Sequence, residues 1–239
     1  RRSVQGAMLV FDEETGAPAA LVDGAALTAW KTAADSALGS DFLSRPDIAS
    51  MLMVGAGTMA EPLNRAHLAV RPSLARVTTY NRTRARAEAL AARLSDLPAE
   101  LVVSDDLDVV LPEADLVITA TMSQTPVLNG ALLRPGCHVD LVGAYTPTMR
   151  EADDACFEEA RVFVDTDEAL TKSGDLLMPV ANKVLSENDI RGTLTTLCRG
   201  VATGRRNPTE RTVFKAVGSA LEDLAAAILV FEPRHTAQA

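Results

Sequence analysis

The sequence lacks a long apolar run, an even set of cysteines and an excess of positive charge, and each absence excludes a class of protein. No stretch of about 18 uncharged apolar residues occurs, which argues against a membrane-spanning helix. Cys137, Cys156 and Cys198 are far apart, which argues against a disulfide framework and against clustered zinc ligands. The formal net charge of -9 at pH 7 disfavours nucleic acid as a partner, because phosphate binding needs a basic face.

The composition that is present predicts a folded protein of the cytoplasm. With 239 residues, 47% of them hydrophobic, the chain can bury the core of one large domain or two small ones. The first residues lack the order of a signal peptide, and we expect the cysteines to be reduced and mostly in the core. Because the chain starts at Arg1 and reaches a predicted strand within six residues, we expect a further segment upstream.

Both ends of the chain show patterns that differ from the middle. Residues 6–24 hold two apolar runs separated by the turn-forming "DEETGAP", which predicts a β-hairpin. Residues 27–44 follow helical spacing, with Thr28 as the expected cap and Trp30 in the core. Residues 209–232 predict one long helix. We therefore expect a discontinuous dimerisation and substrate domain formed by residues 1–46 and 208–239.

The middle of the chain repeats a pattern of strand, turn and helix. Its strands are apolar throughout, which is typical of a parallel sheet that is covered by helices on both faces. Residues 47–207 are therefore predicted to form an α/β domain with a Rossmann-type doubly wound parallel sheet. The predicted strands are residues 50–55, 76–81, 99–104, 114–121, 137–145 and 161–166.

Gly55, Gly57 and Ala60 form a G-x-G-x-x-A pattern directly after the first of these strands. The first glycine makes a tight turn, the second lets the backbone approach a pyrophosphate, and the small third residue packs the helix on the strand. A tight turn without a ligand would show the same residues. The second strand-helix unit that follows at the right distance favours a dinucleotide site.

The end of the second strand indicates which dinucleotide binds. An NAD site has a carboxylate there for the ribose hydroxyls, whereas this chain has Asn81, Arg82, Thr83, Arg84 and Arg86. These residues favour NADP and leave NAD possible. The alternative, a solvated basic start of a helix, is unfavourable beside the positive end of the helix dipole unless an anion compensates it.

Two later segments, residues 119–123 and 141–147, end strands at the carboxyl edge of the sheet, where such folds bind ligands. Either segment would also serve as a plain turn. Asp165 and Asp167 also follow a strand, but no histidine or third carboxylate has a suitable spacing for a metal, so we predict no metal site. His138 lies inside an apolar strand, which favours a structural role.

Seven segments together resemble the ornithine cyclodeaminase/mu-crystallin family, in the family's order and over nearly the whole chain. The resemblance implies a homodimer, an NAD(P) cofactor, a small amino or imino acid as substrate, and a basic arginine and lysine in the missing upstream part. The segments are "LVDGAALTAWKTAADSALG", "MVGAGTMAE", "YNRTRARAEALA", "DLVITAT", "GCHVDLVGAYTPTMRE", "VFVDTDEALTKSGDLLMP" and "TVFKAVGSALEDLAAA".

The resemblance also implies which residues bind the cofactor and act on the substrate. The matched positions fall at the pyrophosphate turn, the NADPH segment, the strand ends over the cofactor, a C-terminal segment near the nicotinamide, and an Arg-Thr pair near the substrate. In that order they are Gly55, Gly57, Thr58 and Met59; Asn81, Arg82 and Thr83; Thr121, Met122, Val142 and Gly143; Ala216, Val217 and Gly218; and Lys31 and Thr32.

Departures from the family pattern decide between activities. Lys31 keeps the charge of the usual arginine but loses its two-point grip on an anion, or else is only a surface lysine. Cyclodeaminases resemble "VGGDCPGK" where this chain has "VGAYTPTM", so Tyr145 replaces their aspartate and Met149 their lysine. A phenol with a pKa of about 10 does not hold a cationic amine as a carboxylate does, which disfavours ornithine cyclodeamination.

The pattern that is left resembles the imine reductases and amino-acid dehydrogenases of the family. The predicted reaction is NAD(P)H-dependent reduction of a cyclic α-imino acid, Δ1-pyrroline-2-carboxylate or Δ1-piperideine-2-carboxylate, to proline or pipecolate. Lys31 and Tyr145 are the predicted catalytic residues, and Tyr145 either donates a proton or forms a wall of the pocket. The alternatives are an alanine-type dehydrogenase, the disfavoured ornithine cyclodeaminase, and a non-catalytic mu-crystallin-like binder of NADPH.

Overall fold

A parallel sheet of eight strands is the main element of the computed structural model, which describes residues 5–231. An antiparallel hairpin of β1 (Ala7–Phe11) and β2 (Pro18–Asp23) precedes it, followed by α1 (Gly24–Leu43). The sheet contains β3 (Ser50–Val54), β4 (Arg76–Tyr80), β5 (Glu100–Ser104), β6 (Leu116–Thr119), β7 (His138–Leu141), β8 (Ala160–Val164), β9 (Ile190–Thr193) and β10 (Arg211–Lys215). The other helices are α2 (Ala60–Val70), α3 (Arg84–Arg93), α4 (Leu107–Val110), α5 (Ala169–Lys172), α6 (Gly174–Ala181), α7 (Leu194–Cys198) and α8 (Ala220–Phe231).

The strand order places a binding crevice beside β3. The order is β5-β4-β3-β6-β7-β10-β8-β9, and every pairing in this sheet is parallel. The chain moves outward from β3 first towards β5 and then, from β6, in the opposite direction. Ligands of doubly wound sheets bind at such a reversal, outside the carboxyl ends of the strands. The predicted fold class is therefore confirmed.

The strands are apolar throughout because both faces of the sheet are covered. Along β3, Met51 and Met53 pack into one hydrophobic cluster, whereas Leu52 and Val54 pack into another on the opposite face. Successive side chains of a strand point to opposite faces, so a strand buried on both sides needs an uninterrupted apolar run. The predicted hairpin shows the other pattern, with half-buried and exposed residues in alternation along β1.

The prediction of one long helix over residues 209–232 is wrong for its first part. Arg211–Lys215 form β10, which lies between β7 and β8 in the large sheet, and only Ala220–Phe231 are helical. Gly218 has a φ of 80°, a conformation that interrupts a right-handed helix. The few apolar residues between 211 and 217 fit both the periodicity of a helix and the alternation of a strand. Spacing alone therefore did not distinguish a strand from a helix here.

Helix α1 packs on the sheet rather than away from it. A Cβ on Gly39 would lie 2.7 Å from the ring of Phe214 in β10, so this glycine permits the close approach. The helix begins at Gly24, three residues before the predicted stretch 27–44, because Asp23 rather than Thr28 accepts hydrogen bonds from the first amides. Trp30, expected in the core, is 54% exposed. The proposed division into two domains stays a prediction, and its residues 1–4 and 232–239 lie outside the described residues.

The sequence also predicted that no helix spans a membrane and that the cysteines are reduced. Among the described residues, none of the helices combines the length and the apolar character needed to cross a bilayer. All three cysteines are free, as predicted, and Cys137 and Cys156 are buried whereas Cys198 is exposed. Burial raises the pKa of the Cys137 thiol to about 12, so that this thiol is uncharged in the core.

A buried carboxylate joins the start of the sheet to the end of α1. Asp115 precedes β6 and accepts hydrogen bonds from the amides of Ala49 and Ser50 at 2.9 and 3.2 Å, and from Arg45 at 2.8 Å. Burial acts to raise the pKa of Asp115, but the hydrogen bonds from Ala49 and Arg45 outweigh it and the pKa is lowered. The folded state therefore stabilises the ionised form of Asp115.

We expect Asp115→Asn to lower the free energy of unfolding by about 2 kcal/mol at pH 7, because hydrogen bonds to a charged group contribute roughly 1.5–3 kcal/mol. Urea denaturation measures the difference. Since the folded-state pKa is lowered, the advantage of the wild type is present above the ordinary value of 3.8 and is lost as the pH falls through the folded value.

Asp47→Asn is the matched control, because Asp47 also pairs with Arg45 but its side chain is 76% exposed. Its free energy of unfolding should change by less than about 0.5 kcal/mol. Equal effects of the two substitutions would contradict the role given to Asp115.

Candidate active site

The turn after β3 can be made only by glycine. Gly55 has a φ of 110°, and a Cβ on it would lie 2.8 Å from the carbonyl oxygen of Ala120 at the end of β6. Its amide donates a 2.8 Å hydrogen bond to the carbonyl of Tyr80, the last residue of β4. The turn is thereby fixed at the point where β4, β3 and β6 end, which is the crevice beside β3.

The next residues leave room and backbone donors for an anion. A Cβ on Gly57 would meet nothing within 4 Å, so a ligand can approach the backbone there. Helix α2 starts after Met59 without a side-chain cap, and its first amides are thus available to a phosphate. Ala60 is fully buried and packs the helix on the strands. These observations fit the pyrophosphate of a dinucleotide.

The loop after β4 is tied to this turn. The side-chain oxygen of Asn81 accepts a 3.2 Å hydrogen bond from the amide of Ala56, and its nitrogen donates at 2.9 Å to the carbonyl of Thr83. Arg84 forms ion pairs with carboxylates, whereas the side chain of Arg82 is exposed and makes no hydrogen bond or ion pair within residues 5–231. Helix α3 also starts without a side-chain cap, at Thr83.

Glu151 holds the ends of β6 and β7 together. Its two carboxylate oxygens accept hydrogen bonds from the amide and hydroxyl of Thr121 at 2.6 and 2.7 Å, from the hydroxyl of Thr119 at 2.8 Å and from the amide of Gly143 at 2.7 Å. A Cβ on Gly143 would lie 2.2 Å from the carbonyl oxygen of Thr121. The two strand ends therefore form one surface, whose spacing the carboxylate sets.

The charge of Glu151 is compensated inside the protein. Burial raises the pKa of Glu151, and the ammonium of Lys215 acts in the opposite direction. Lys215 Nζ lies 3.6 Å from a carboxylate oxygen of Asp175, and the other oxygen of Asp175 accepts the amide of Glu151 at 2.7 Å. All three side chains are fully buried. Removal of Lys215 would therefore leave both carboxylates without a compensating charge inside the protein and destabilise the fold.

The turn after β10 forms a further wall of the site. The amides of Val217 and Gly218 donate to one carboxylate oxygen of Asp165 at 2.7 and 2.5 Å. Asp165 directly follows β8, so the carboxylate fixes the turn after β10 against the neighbouring strand. Its role is consistent with the turn chemistry that the sequence suggested for this aspartate.

These walls enclose one cavity of about 660 Å³. Most of the predicted residues line it, while Gly55 and Asn81 shape the turn from behind and Arg82 and Thr83 lie outside the lining. The predicted residues in the lining are Lys31, Thr32, Gly57, Thr58, Met59, Thr121, Met122, Val142, Gly143, Tyr145, Ala216, Val217 and Gly218. The structure thus brings together segments from residue 31 to residue 218.

Lys31 and Tyr145 differ in their surroundings. The side chain of Lys31 is nearly buried, and its Nζ lies 3.3 Å from Glu222 and 3.4 Å from Asp223 at the start of α8. Lys31 is therefore not a free surface lysine. Tyr145 is 45% exposed and lines the cavity. Their catalytic roles stay predictions.

Sequence reasoning missed several residues of this site. Glu168 and Lys172 line the cavity, and Glu151 shapes it from behind. Glu168 and Lys172 are four residues apart and paired, a pattern that a solvent-exposed helix shows as well. No local signal distinguishes them. For Glu151 the signal would have been a carboxylate within the otherwise matched segment 136–151.

His138 has the structural role that was expected. It is fully buried, and its Nδ1 lies 2.9 Å from the hydroxyl of Thr212. Burial lowers the pKa of His138 well below its usual range, so the ring is neutral.

The chain is similar to proteins of known family. The model of the ornithine cyclodeaminase/mu-crystallin family matches residues 1–237. The chain belongs to this family. A Δ1-pyrroline-2-carboxylate reductase of Paracoccus denitrificans is 45% identical over 223 residues, which are 93% of this chain and 71% of that protein. The resemblance seen in the sequence is thereby confirmed.

Two solved structures have the same fold. Thermococcus litoralis Δ1-pyrroline-2-carboxylate reductase, in complex with NADH and L-proline, matches with a TM-score of 0.93 at 32% identity, over 97% of this chain and 72% of that one. An archaeal alanine dehydrogenase dimer with bound NAD matches with a TM-score of 0.89 at 25% identity, over 97% and 71%.

We expect Glu151→Gln to lower the free energy of unfolding by about 3 kcal/mol, because an amide donor would face a backbone or hydroxyl donor in a buried site. Binding of the nicotinamide dinucleotide should also weaken, since Thr121 and Gly143 line the cavity. Urea denaturation and fluorescence titrations with NADH and NADPH measure the two effects.

Glu158→Gln is the control, because Glu158 lies in the same stretch of chain but is exposed. Its stability and its affinity for NADPH should equal those of the wild type. If Glu151→Gln matched it in both measurements, the carboxylate would not hold the strand ends.

Proposed function

We propose that the protein is an NAD(P)H-dependent reductase of a cyclic α-imino acid, Δ1-pyrroline-2-carboxylate or Δ1-piperideine-2-carboxylate, which yields proline or pipecolate. One observation carries the proposal. The cavity connects the glycine turn to Lys31 and Tyr145 in a chain that aligns, over almost its full length, with a reductase that binds NADH and L-proline.

Different residues of the cavity bind different parts of the cofactor. The amides after Gly57 hold the pyrophosphate, and the walls at Thr121, Gly143 and Val217 orient the nicotinamide ring. When bound, the reduced nicotinamide supplies the hydride that the C=N carbon accepts. The protein supplies orientation and charge.

Two charged side chains fit the two ends of such a substrate. Lys31 is the cation for the carboxylate, and its two partners at the start of α8 hold the ammonium in place. Asp223 lines the same cavity and stabilises a protonated imine nitrogen, the form that accepts hydride more readily. Tyr145 lines the same cavity, and its phenol does not replace the carboxylate of the cyclodeaminases.

We expect NADPH to be oxidised when Δ1-pyrroline-2-carboxylate or Δ1-piperideine-2-carboxylate is added, with proline or pipecolate as the product. Loss of nicotinamide absorbance and chromatography of the amino acid measure the reaction. Release of ammonia from alanine without imine reduction would instead identify an alanine-type dehydrogenase. Tight NADPH binding without any turnover would identify a non-catalytic binder.

NADPH rather than NADH is the proposed cofactor. The loop after β4 carries no carboxylate at Asn81, where an NAD site has one for the ribose hydroxyls. Arg82 is exposed and free of ion pairs within the described chain, beside the uncapped start of α3. An arginine in this state is available to the additional phosphate of NADPH.

We expect Arg82→Ala to weaken NADPH binding by about 1–3 kcal/mol, the contribution of one charged contact, and to leave NADH binding almost unchanged. Fluorescence titrations with both cofactors measure the change. Arg93→Ala is the control, because Arg93 lies at the other end of α3. Equal weakening of both cofactors by Arg82→Ala would contradict the assignment.

A homodimer in the cytoplasm is part of the same proposal. Large apolar side chains are exposed on the hairpin, on α1 and on α8, which is typical of a surface that another subunit covers. They include Leu9, Phe11, Leu21, Trp30, Leu221, Leu229 and Val230. Sedimentation of the full protein measures the oligomeric state.

A further inference from the structure

Asp35 is a buried carboxylate whose surroundings do not satisfy it. It lies in α1 on the side that faces the sheet and is 5% exposed. Neither of its carboxylate oxygens has a hydrogen-bond partner among residues 5–231. A buried ionised carboxylate costs several kcal/mol unless it is paired or coordinates a metal. Asp35 therefore requires a positive partner or a proton.

Two further carboxylates lie beside it. Asp165 follows β8 and Glu222 lies in the first turn of α8, and one oxygen of each of the three side chains lies within 4.8 Å of the others. Asp165 is partly compensated by the amides of Val217 and Gly218. Those amides do not reach Asp35. The three carboxylates thus converge on a point that Asp35 faces with both oxygens unpaired.

The cation nearest to this group is shared with a fourth carboxylate. Lys31 Nζ lies 3.3 Å from Glu222 and 3.4 Å from Asp223. One ammonium thus serves four carboxylates in this region, which leaves an excess of negative charge around Asp35. Lys31 keeps Asp223 as a partner when Glu222 binds another cation.

We propose that Asp35, Asp165 and Glu222 form a binding site for a divalent metal cation of the Mg²⁺ or Ca²⁺ type. Hard cations of this type bind carboxylate oxygens. The two positive charges of such a cation match the negative charge of the three carboxylates that Lys31 leaves uncompensated. The expectation of no metal site rested on spacing around Asp165 and Asp167. Folding supplies the missing carboxylates from residues far away in the sequence.

A metal at this point would connect the walls of the cavity. Asp35 belongs to α1, Asp165 holds the turn after β10, and Glu222 belongs to α8. Lys31 and Val217, which line the cavity, lie on the same elements. Bound metal should therefore also tighten NADPH binding, a consequence that rests on the proposed function. The metal site itself does not depend on it.

A proton competes with the metal. Burial raises the pKa of Asp35 well above its usual range, and the charges of Glu222, Asp165 and Asp140 raise it further, whereas Lys31 lowers it. Without metal, Asp35 carries a proton over a wider range of pH than an exposed aspartate. Metal binding should release this proton and weaken as the pH falls.

The test is calorimetry on the whole protein after treatment with EDTA, with MgCl₂, CaCl₂ or MnCl₂ added in the absence of cofactor and substrate. We expect saturable binding of at least one cation at one site per chain, and a Tm that rises with its concentration. Asp35→Asn should weaken this binding at least about tenfold, since even partners outside the coordination sphere contribute that much.

Asp167→Asn is the matched control, because Asp167 is an exposed carboxylate two residues after Asp165 and its loss changes the net charge equally. It should bind the metal as the wild type does. If Asp35→Asn does not fold, Glu222→Gln replaces it, because Glu222 is partly exposed and should likewise lose binding.

Absence of saturable binding for all three cations would overturn the proposal, and so would unchanged binding by a folded Asp35→Asn or Glu222→Gln variant. A gain in stability for Asp35→Asn, without metal binding in the wild type, would show that the buried carboxyl of Asp35 is uncompensated in the folded protein, and it would likewise overturn the proposal. Because these measurements contain no nicotinamide and no imine, their failure leaves the proposed reductase activity unaffected.

Discussion

The carboxylate of Glu151 sets the distance between two strand ends on which the cavity is built. It accepts hydrogen bonds from both of them, and it lies where a Cβ on Gly143 would not fit. The carboxyl ends of parallel strands meet at one edge of the sheet, where such folds bind their ligands. A fully buried carboxylate holds two such ends together with strong, directional bonds. The ammonium of Lys215, which pairs with Asp175, then compensates the charge of Glu151 inside the protein.

An acidic protein can still bind an anionic cofactor, because the donors are local. The chain has a formal net charge of -9, yet the amides after Gly57 and the uncapped start of α2 carry the positive ends of peptide dipoles. Carboxylates in the site serve a different purpose, since Glu151 and Asp165 each fix backbone amides that form the cavity walls. A negative net charge therefore disfavours binding of large polyanionic partners. It does not disfavour binding of a nucleotide that is held by a few backbone amides of the protein.

The sequence predicted the elements whose signal is local. Strand β3 was visible as an apolar run before Gly55, and the hairpin as two runs around a turn. It did not predict β10, because a short apolar stretch before Gly218 fits a helix and a strand equally. It also misplaced Trp30, because an apolar side chain is as compatible with a surface that another molecule covers as with the core.

The fold class, the glycine turn and the family were predictable, since they depend on residues that are adjacent or regularly spaced along the chain. The pairs of side chains that meet in the site were not predictable in this way. Lys31 pairs with Glu222 and Asp223, and Asp35 faces Asp165, across separations of more than a hundred residues. Such contacts depend on how α1 and α8 pack against the ends of β8 and β10, and packing geometry is not encoded in any local pattern.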